Sequence, residues 1–168
     1  WFLVLVGDGP LKKELIELTN QLNISEKVVF TGYQEYENIR SIYSSASCFV
    51  LPSITEQWGL VVNEALASGL PVICSKRAGC APNLIDNNEV GYTFDPFSET
   101  DLEKKMYQVV EDLKTIDFKS RTYSVINKWG KDKYSNNILK AAQEAIESKT
   151  ERGFFSLLFL ESFIKIFK

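Results

Sequence analysis

The sequence contains no histidine. That single absence removes Ser-His-Asp and Cys-His catalysis and most zinc sites. An excess of one charge is also lacking. Nineteen Lys and Arg stand against 22 Asp and Glu, a net charge of -3, and no long basic run occurs. Nucleic acid, held chiefly through its phosphates, is therefore not an expected partner. Cysteine is scarce: Cys48, Cys74 and Cys80 lack C-x-x-C spacing, and two of them sit inside apolar runs. All three read as buried core thiols of a reducing compartment. No run approaches the roughly 20 apolar residues that cross a bilayer. There is no internal repeat and no low-complexity linker. What remains is a chain of ordinary globular composition, 45% hydrophobic and 24% charged over 168 residues. That length suits one domain or a little more.

Along the chain, short apolar runs alternate with helical periodicity. Phe2 to Val6 is a strand-like run closed by the turn Gly7-Asp8-Gly9-Pro10. Pro10 suits the first turn of a helix. Leu11, Leu15, Ile16, Leu18 and Leu22 then recur at helical spacing, and Lys12, Lys13 and Glu14 form its solvated face. Val28 to Phe30 is a second strand, closed by Thr31-Gly32-Tyr33, and Ile39, Ile42 and Tyr43 mark a second helix. Cys48 to Leu51, Val72 to Cys74 and Gly91 to Phe94 are further strands. A helix from about Leu60 to Ser68 is stopped by Gly69 and Pro71. After Pro96 the pattern is helical over roughly 98–114, 119–128 and 131–148. Alternating strands and helices predict a parallel sheet with helices on both faces, and the apolar strands read as doubly buried. Ligands of such sheets bind beyond the carboxyl ends of the strands. The loops Gly7–Pro10, Gly32–Gln34, Pro52–Gly59 and Ser75–Pro82 are therefore the places to look.

The richest stretch is P-S-I-T-E-Q-W-G-L-V-V-N-E-A-L-A-S-G-L-P-V, Pro52 to Val72. It leaves a strand tip and enters a helix. Gly59 permits close backbone approach to a ligand, and the N–H groups opening the helix attract an anion or an electron-rich hydroxyl. Glu56 lies in the loop and Glu64 one turn inside the helix, so both can face the crevice. A carboxylate accepts two hydrogen bonds from a vicinal diol, which suits ribose and sugar. Taken singly, either glutamate is explained by helix stability alone. Trp58 can stack on a ligand or plug the loop onto the core, and both readings stand. Tyr33 and Tyr36 likewise suit base contact or packing. Lys76 and Arg77 lie on a carboxyl-edge loop from which they can reach phosphate, but the solvated state usual for such residues is the favoured reading.

Pro52 to Val72 resembles the donor-site signature of glycosyltransferase family 4, a Glu-x7-Glu motif running into E-A-x-A-x-G-x-P-V. The matching positions are Glu56, Gly59, Glu64, Ala65, Ala67, Gly69, Pro71 and Val72. V-G-D-G-P at Val6, V-V-F-T-G-Y at Val28, G-C-A-P-N-L-I at Gly79 and V-G-Y-T-F at Val90 are similar to further family segments. The ordered set is far more specific than the spacing alone, and it covers roughly residues 1–148. The resemblance implies a Rossmann-like domain, the C-terminal half of a GT-B enzyme, binding a UDP- or GDP-linked sugar. Glu64 would hold the ribose hydroxyls. Glu56, the catalytic candidate, would hold hydroxyls of the donor sugar. Gln57, Trp58, Gly59 and Leu60 would lie along sugar and diphosphate, and Gly32, Tyr33 and Gln34 would border the base. Transfer would retain anomeric configuration without a cofactor or metal ion, in keeping with the absence of an Asp-x-Asp motif. The bacterial look of W-G-L-V-V-N-E-A-L-A implies polysaccharide, lipopolysaccharide or capsule assembly, in the cytoplasm or at the inner face of the membrane.

Departures from the family pattern are informative. The G-R-x-x-x-x-K-G segment, whose cations neutralise the diphosphate, has no counterpart here, and neither have the first strand and the N-terminal acceptor domain. Two lost charged hydrogen bonds of about 1.5–3 kcal/mol each turn micromolar binding into millimolar, and the fragment is expected to be inactive alone. Asn83 stands where an acidic residue is common. Residues 149–168 read as an apolar helix. Its part from Gly153 to Lys168 suits peripheral contact with an anionic membrane or docking onto the acceptor domain. Two rivals remain open. A nucleotide-sugar epimerase of the same fold needs acid and base groups that a histidine-free chain supplies poorly. A non-enzymatic receiver or scaffold module needs acidic strand ends, and here they carry Gly, Pro and Ser.

Overall fold

A computed structural model describes residues 1–86 and 89–147. The apolar segment after residue 148, with its contact over 153–168, lies outside the described residues. The chain divides into two compact units, Trp1–Ser47 and Cys48–Lys168. The strands accordingly form two parallel ladders, one in each unit.

In the first unit, β1 (Leu3–Val6) pairs in parallel with β2 (Val28–Gly32). The register runs from Leu3 opposite Val28 to Leu5 opposite Phe30, then slips so that Val6 faces Gly32. Between them lies α1 (Lys12–Gln21), and α2 (Tyr36–Ser45) follows β2. Helix α1 opens after Pro10, not on it: Lys12 N–H donates to the Gly9 carbonyl at 3.2 Å. Its end is fixed by Thr19, whose hydroxyl donates to the Ile16 carbonyl and whose carbonyl accepts from Ile24. Asn23 then takes a positive φ of 54°, which Asn tolerates better than most residues.

The expectation of doubly buried strands fails at β1. Leu3, Val4 and Val6 are all exposed. The reason is local: among the described residues β1 has only β2 as a ladder partner. The apolar stripe of α1 is exposed as well, Leu15, Ile16, Leu18 and Leu22 included, because a two-stranded ladder offers little surface to cover it.

The second unit carries the packed core. Strands β3 (Phe49–Leu51), β4 (Val72–Ser75) and β5 (Gly91–Phe94) run parallel in that order. Phe49 faces Val72, and Val72 faces Gly91. Every residue of the central strand β4 is buried, as a strand with helices on both faces requires. Its alternate side chains go to opposite layers. Ile73 joins Phe94 and Val109 of α4 (Glu99–Asp112), with Leu102 and Leu113 around them. Helix α3 (Leu60–Ala67) packs on β3 and β4 and against α5 (Phe118–Ile126). Val62, Ala65 and Leu66 of α3 are fully buried, and the small residues allow the close seat on the sheet. Ser98 caps α4 by accepting from Asp101 N–H, and Asp117 caps α5 by accepting from Ser120 N–H, each at 3.2 Å. The chain continues through α6 (Lys131–Glu147).

Candidate functional site

The loop after β3 and the loop after β4 are joined by backbone. Glu56 and Ala78 form a parallel bridge. Gly79 N–H donates to the Glu56 carbonyl and Cys80 N–H to the Trp58 carbonyl, each at 3.0 Å. The approach is so close that a Cβ on Gly79 would lie 1.9 Å from the Gln57 carbonyl oxygen. Two loops that leave neighbouring strand tips thus continue the sheet beyond its carboxyl edge. A π-type turn over Ala81–Ile85 ends this arrangement, with Asp86 N–H reaching back to the Ala81 carbonyl at 3.0 Å.

Glu56 is half-buried, and its Oε1 accepts from Trp58 N–H at 3.3 Å. That bond curls the loop so that the carboxylate lines a cleft of about 340 Å³ with Ile54, Thr55, Gln57 and Arg77. Gly59 is buried and takes φ +93° at the entry to α3. A Cβ there would meet Leu51 Cδ2 at 3.1 Å, Glu56 Cγ at 3.3 Å and Cys80 Sγ at 3.5 Å. Glycine is therefore required by the loop's own packing as well as by backbone conformation. Leu60, the first residue of α3, is 70% exposed, and no side chain caps the helix. The opening N–H groups of such a helix are of the kind that bind anions. Glu64 lies one turn further along α3, half-buried.

Trp58 makes contacts within its own unit. Its ring lies 5.3 Å from that of Trp129, tilted by 48°, and its Nε1–H donates to Asn63 Oδ1 at 3.0 Å. The indole plugs the loop onto the unit's own helical segment. The cysteines are placed as expected, Cys74 and Cys80 buried and Cys48 half-buried, all free. Burial pushes the Cys48 thiol up to about 12. Its hydrogen bond with Cys80, aided by burial, raises the Cys74 thiol far above its ordinary value.

Gly32, Tyr33 and Gln34 belong to the first unit. Gly32 ends β2 with φ +68°, and its carbonyl accepts from Gly7 N–H at 2.9 Å. Tyr33 is 75% exposed, and Gln34 Nε2 donates to the Thr31 carbonyl at 2.8 Å. Lys12 pairs with Asp8 at 3.1 Å on the exposed surface, and its hydrogen bond lowers the Asp8 carboxyl. Arg77 is exposed, as the sequence suggests, and it also has a specific partner. Its Nε donates to the Ile54 carbonyl at 2.6 Å, which fixes it in the cleft wall. Nothing in local sequence marks that bond, since the partners lie 23 residues apart.

Comparison with known proteins agrees with this arrangement. The profile of the family described as glycosyl transferases group 1 matches residues 1–144. The sulfoquinovosyl transferase of Arabidopsis thaliana is 33% identical over 147 residues, 88% of this chain and 27% of that protein. The chain thus spans about a quarter of that relative's length. The lipopolysaccharide outer core galactosyltransferase WaaB shares the fold, with a TM-score of 0.76 at 19% identity over 86% of this chain and 41% of WaaB. HepE of Anabaena, solved in complex with UDP, gives a TM-score of 0.67 at 25% identity over 76% of this chain and 36% of HepE. With five parallel strands in two ladders, helices on both sides and the Glu56–Glu64 loop and helix at the carboxyl edge, the chain belongs to the group 1 glycosyl transferases and has the fold of the C-terminal domain of a GT-B enzyme.

Proposed function

We propose that this domain binds the nucleoside-diphosphate sugar donor of a retaining glycosyl transfer. The observation that carries the reading is the fixed loop. Glu56 faces the cleft, and the uncapped start of α3 follows three residues later with Glu64 one turn inside. A carboxylate in the cleft accepts from sugar hydroxyls, the helix N-terminus faces the diphosphate, and Glu64 accepts from the ribose. Gln57, Gly59 and Leu60 give backbone contacts between these points. Trp58 serves through its loop, since its ring is engaged with Trp129.

The donor is UDP- or GDP-linked, and HepE, whose structures hold UDP and UDP-glucose, supports the first. Donor activation uses no metal ion or cofactor. The acceptor is a saccharide or lipid-linked sugar, held by an N-terminal domain of the whole protein. The relatives named for sulfoquinovosyl and outer-core galactosyl transfer support glycolipid or polysaccharide assembly. Residues 1–148 form the donor domain, which works in the cytoplasm.

Ligand-observed NMR titration with millimolar UDP, GDP and their sugars tests the reading. Wild type is expected to bind one series, and Glu64→Ala to lose at least tenfold, about 1.4 kcal/mol. Equal binding by the variant would remove the ribose role. Sugar transfer by residues 1–168 alone would contradict the need for a second domain.

A further inference from the structure

Arg77 is the cleft residue whose charge the donor reading leaves unused. Two neighbouring cations leave β4, and the structure treats them differently. Lys76 Nζ lies 4.0 Å from Asp101, a partly buried carboxylate. Among the described residues, no carboxylate forms an ion pair with Arg77. Its own N–H donates to Ser75 Oγ at 3.1 Å, which sets the turn. Its Nε donates to the Ile54 carbonyl at 2.6 Å, and the guanidinium lies 5.7 Å from the centre of the Phe97 ring. A guanidinium carries five N–H donors in a rigid fork and is always charged. With Nε held on a carbonyl and Phe97 at one side, the guanidinium stands in the wall of the cleft that Glu56 lines. An oriented guanidinium without a carboxylate partner is the geometry that receives a planar or tetrahedral oxyanion.

We propose that Arg77 binds an oxyanion of the nucleotide-sugar donor beside Glu56. The inference rests on the donor-site reading. The oxyanion has two possible sources with one chemistry, the diphosphate or an acidic substituent on the sugar. Glu56 accepts hydrogen bonds from neutral hydroxyls, and Arg77 donates to negative oxygen. The cleft thereby holds one group of each kind and discriminates by charge as well as by shape.

The test measures dissociation constants of uridine, UDP, UDP-glucose and UDP-glucuronate, with the guanosine series in parallel, for wild type, Arg77→Gln, Arg77→Lys and Glu64→Ala. The nucleoside is the internal standard for a folded site. Arg77→Gln is expected to leave nucleoside affinity unchanged. It should reduce by tenfold or more either the preference for diphosphate over nucleoside or the preference for the acidic over the neutral sugar. The ratio that moves identifies the source. Arg77→Lys is expected to recover part of the loss, because the charge returns without the fork. The proposal is overturned if Arg77→Gln leaves both ratios unchanged, or weakens nucleoside and diphosphate equally, which would make the residue a loop clasp alone. Unmoved ratios with binding that still depends on Glu64 would sink only this proposal. Absence of any nucleotide binding by wild type would remove the donor-site reading and this proposal together.

Discussion

Gly79 has a carbonyl oxygen where a side chain would begin. The 1.9 Å separation cannot be relieved by rotating a flexible group, because the obstacle is the backbone of Gln57. Gly79→Ala is expected to cost about 3 kcal/mol, the upper end of overpacking penalties, and to separate the Glu56 loop from the Cys80 loop. Denaturant unfolding reads the first effect. Loss of donor affinity larger than that of a core variant of equal stability reads the second, and an unchanged midpoint would show that the loops are free to part. The thiols make a second residue-scale prediction. Cys74 and Cys80 are buried and Cys48 is held protonated by burial. Reaction needs both the thiolate and access to it. The hydrogen bond with Cys74 lowers the Cys80 thiol, so its protection rests on burial. An aromatic disulfide reagent at pH 8 is therefore expected to label none of the three before unfolding and all three after it. Fast labelling of the folded chain would contradict the packing.

At the scale of elements, caps and ladders decide what holds. Asp117 starts α5 by accepting from Ser120 N–H, and Ser120 Oγ–H donates to it as well. The Ser120 hydrogen bonds lower its carboxyl below the usual range. Asp117→Ala is expected to lower stability, while Asp117→Asn, which can still accept, keeps most of it. Thermal midpoints of the two variants check the order. Much at this scale was legible in the sequence. The strands at Val28, Cys48, Val72 and Gly91, and α1 to α6 except for their end residues, follow from periodicity and from Gly and Pro. The π-type turn at Ala81–Ile85 was not legible: its bonds are local, but Asp86 N–H reaches the Ala81 carbonyl in a turn wider than an α-helix, which no residue pattern marks. Trp58 could not be assigned from sequence either. Its partner Trp129 lies far along the chain, and only the folded unit brings them within 5.3 Å. For Arg77 the sequence indicated an exposed cation, which it is, but not the bond to the Ile54 carbonyl 23 residues away.

For the whole molecule, the core of the second unit sets a pH limit. Tyr92 lies on β5, donates its hydroxyl to Asp112 and is pushed up to about 12 by burial first and by that hydrogen bond second. The fold favours the protonated phenol. Its contribution to stability is therefore complete below about 10, the ordinary tyrosine value, and is lost as pH rises from there through 12. One of the seven tyrosines is expected to ionise late in an absorbance titration, and unfolding midpoints should fall across the same window. In Asp112→Asn the titration should move down, since the nearby negative charge is gone, and a full coincidence of all seven tyrosines in wild type would refute the assignment.

The accessible side chains of β1 have a practical meaning for anyone preparing this domain. An apolar strand open on both faces, with one ladder partner among the described residues, is adhesive to any other chain that can offer a strand. Concentrated preparations of residues 1–168 should self-associate through the first unit while the second keeps its packing. A single lysine in place of Val4 would then improve solubility without touching the donor cleft.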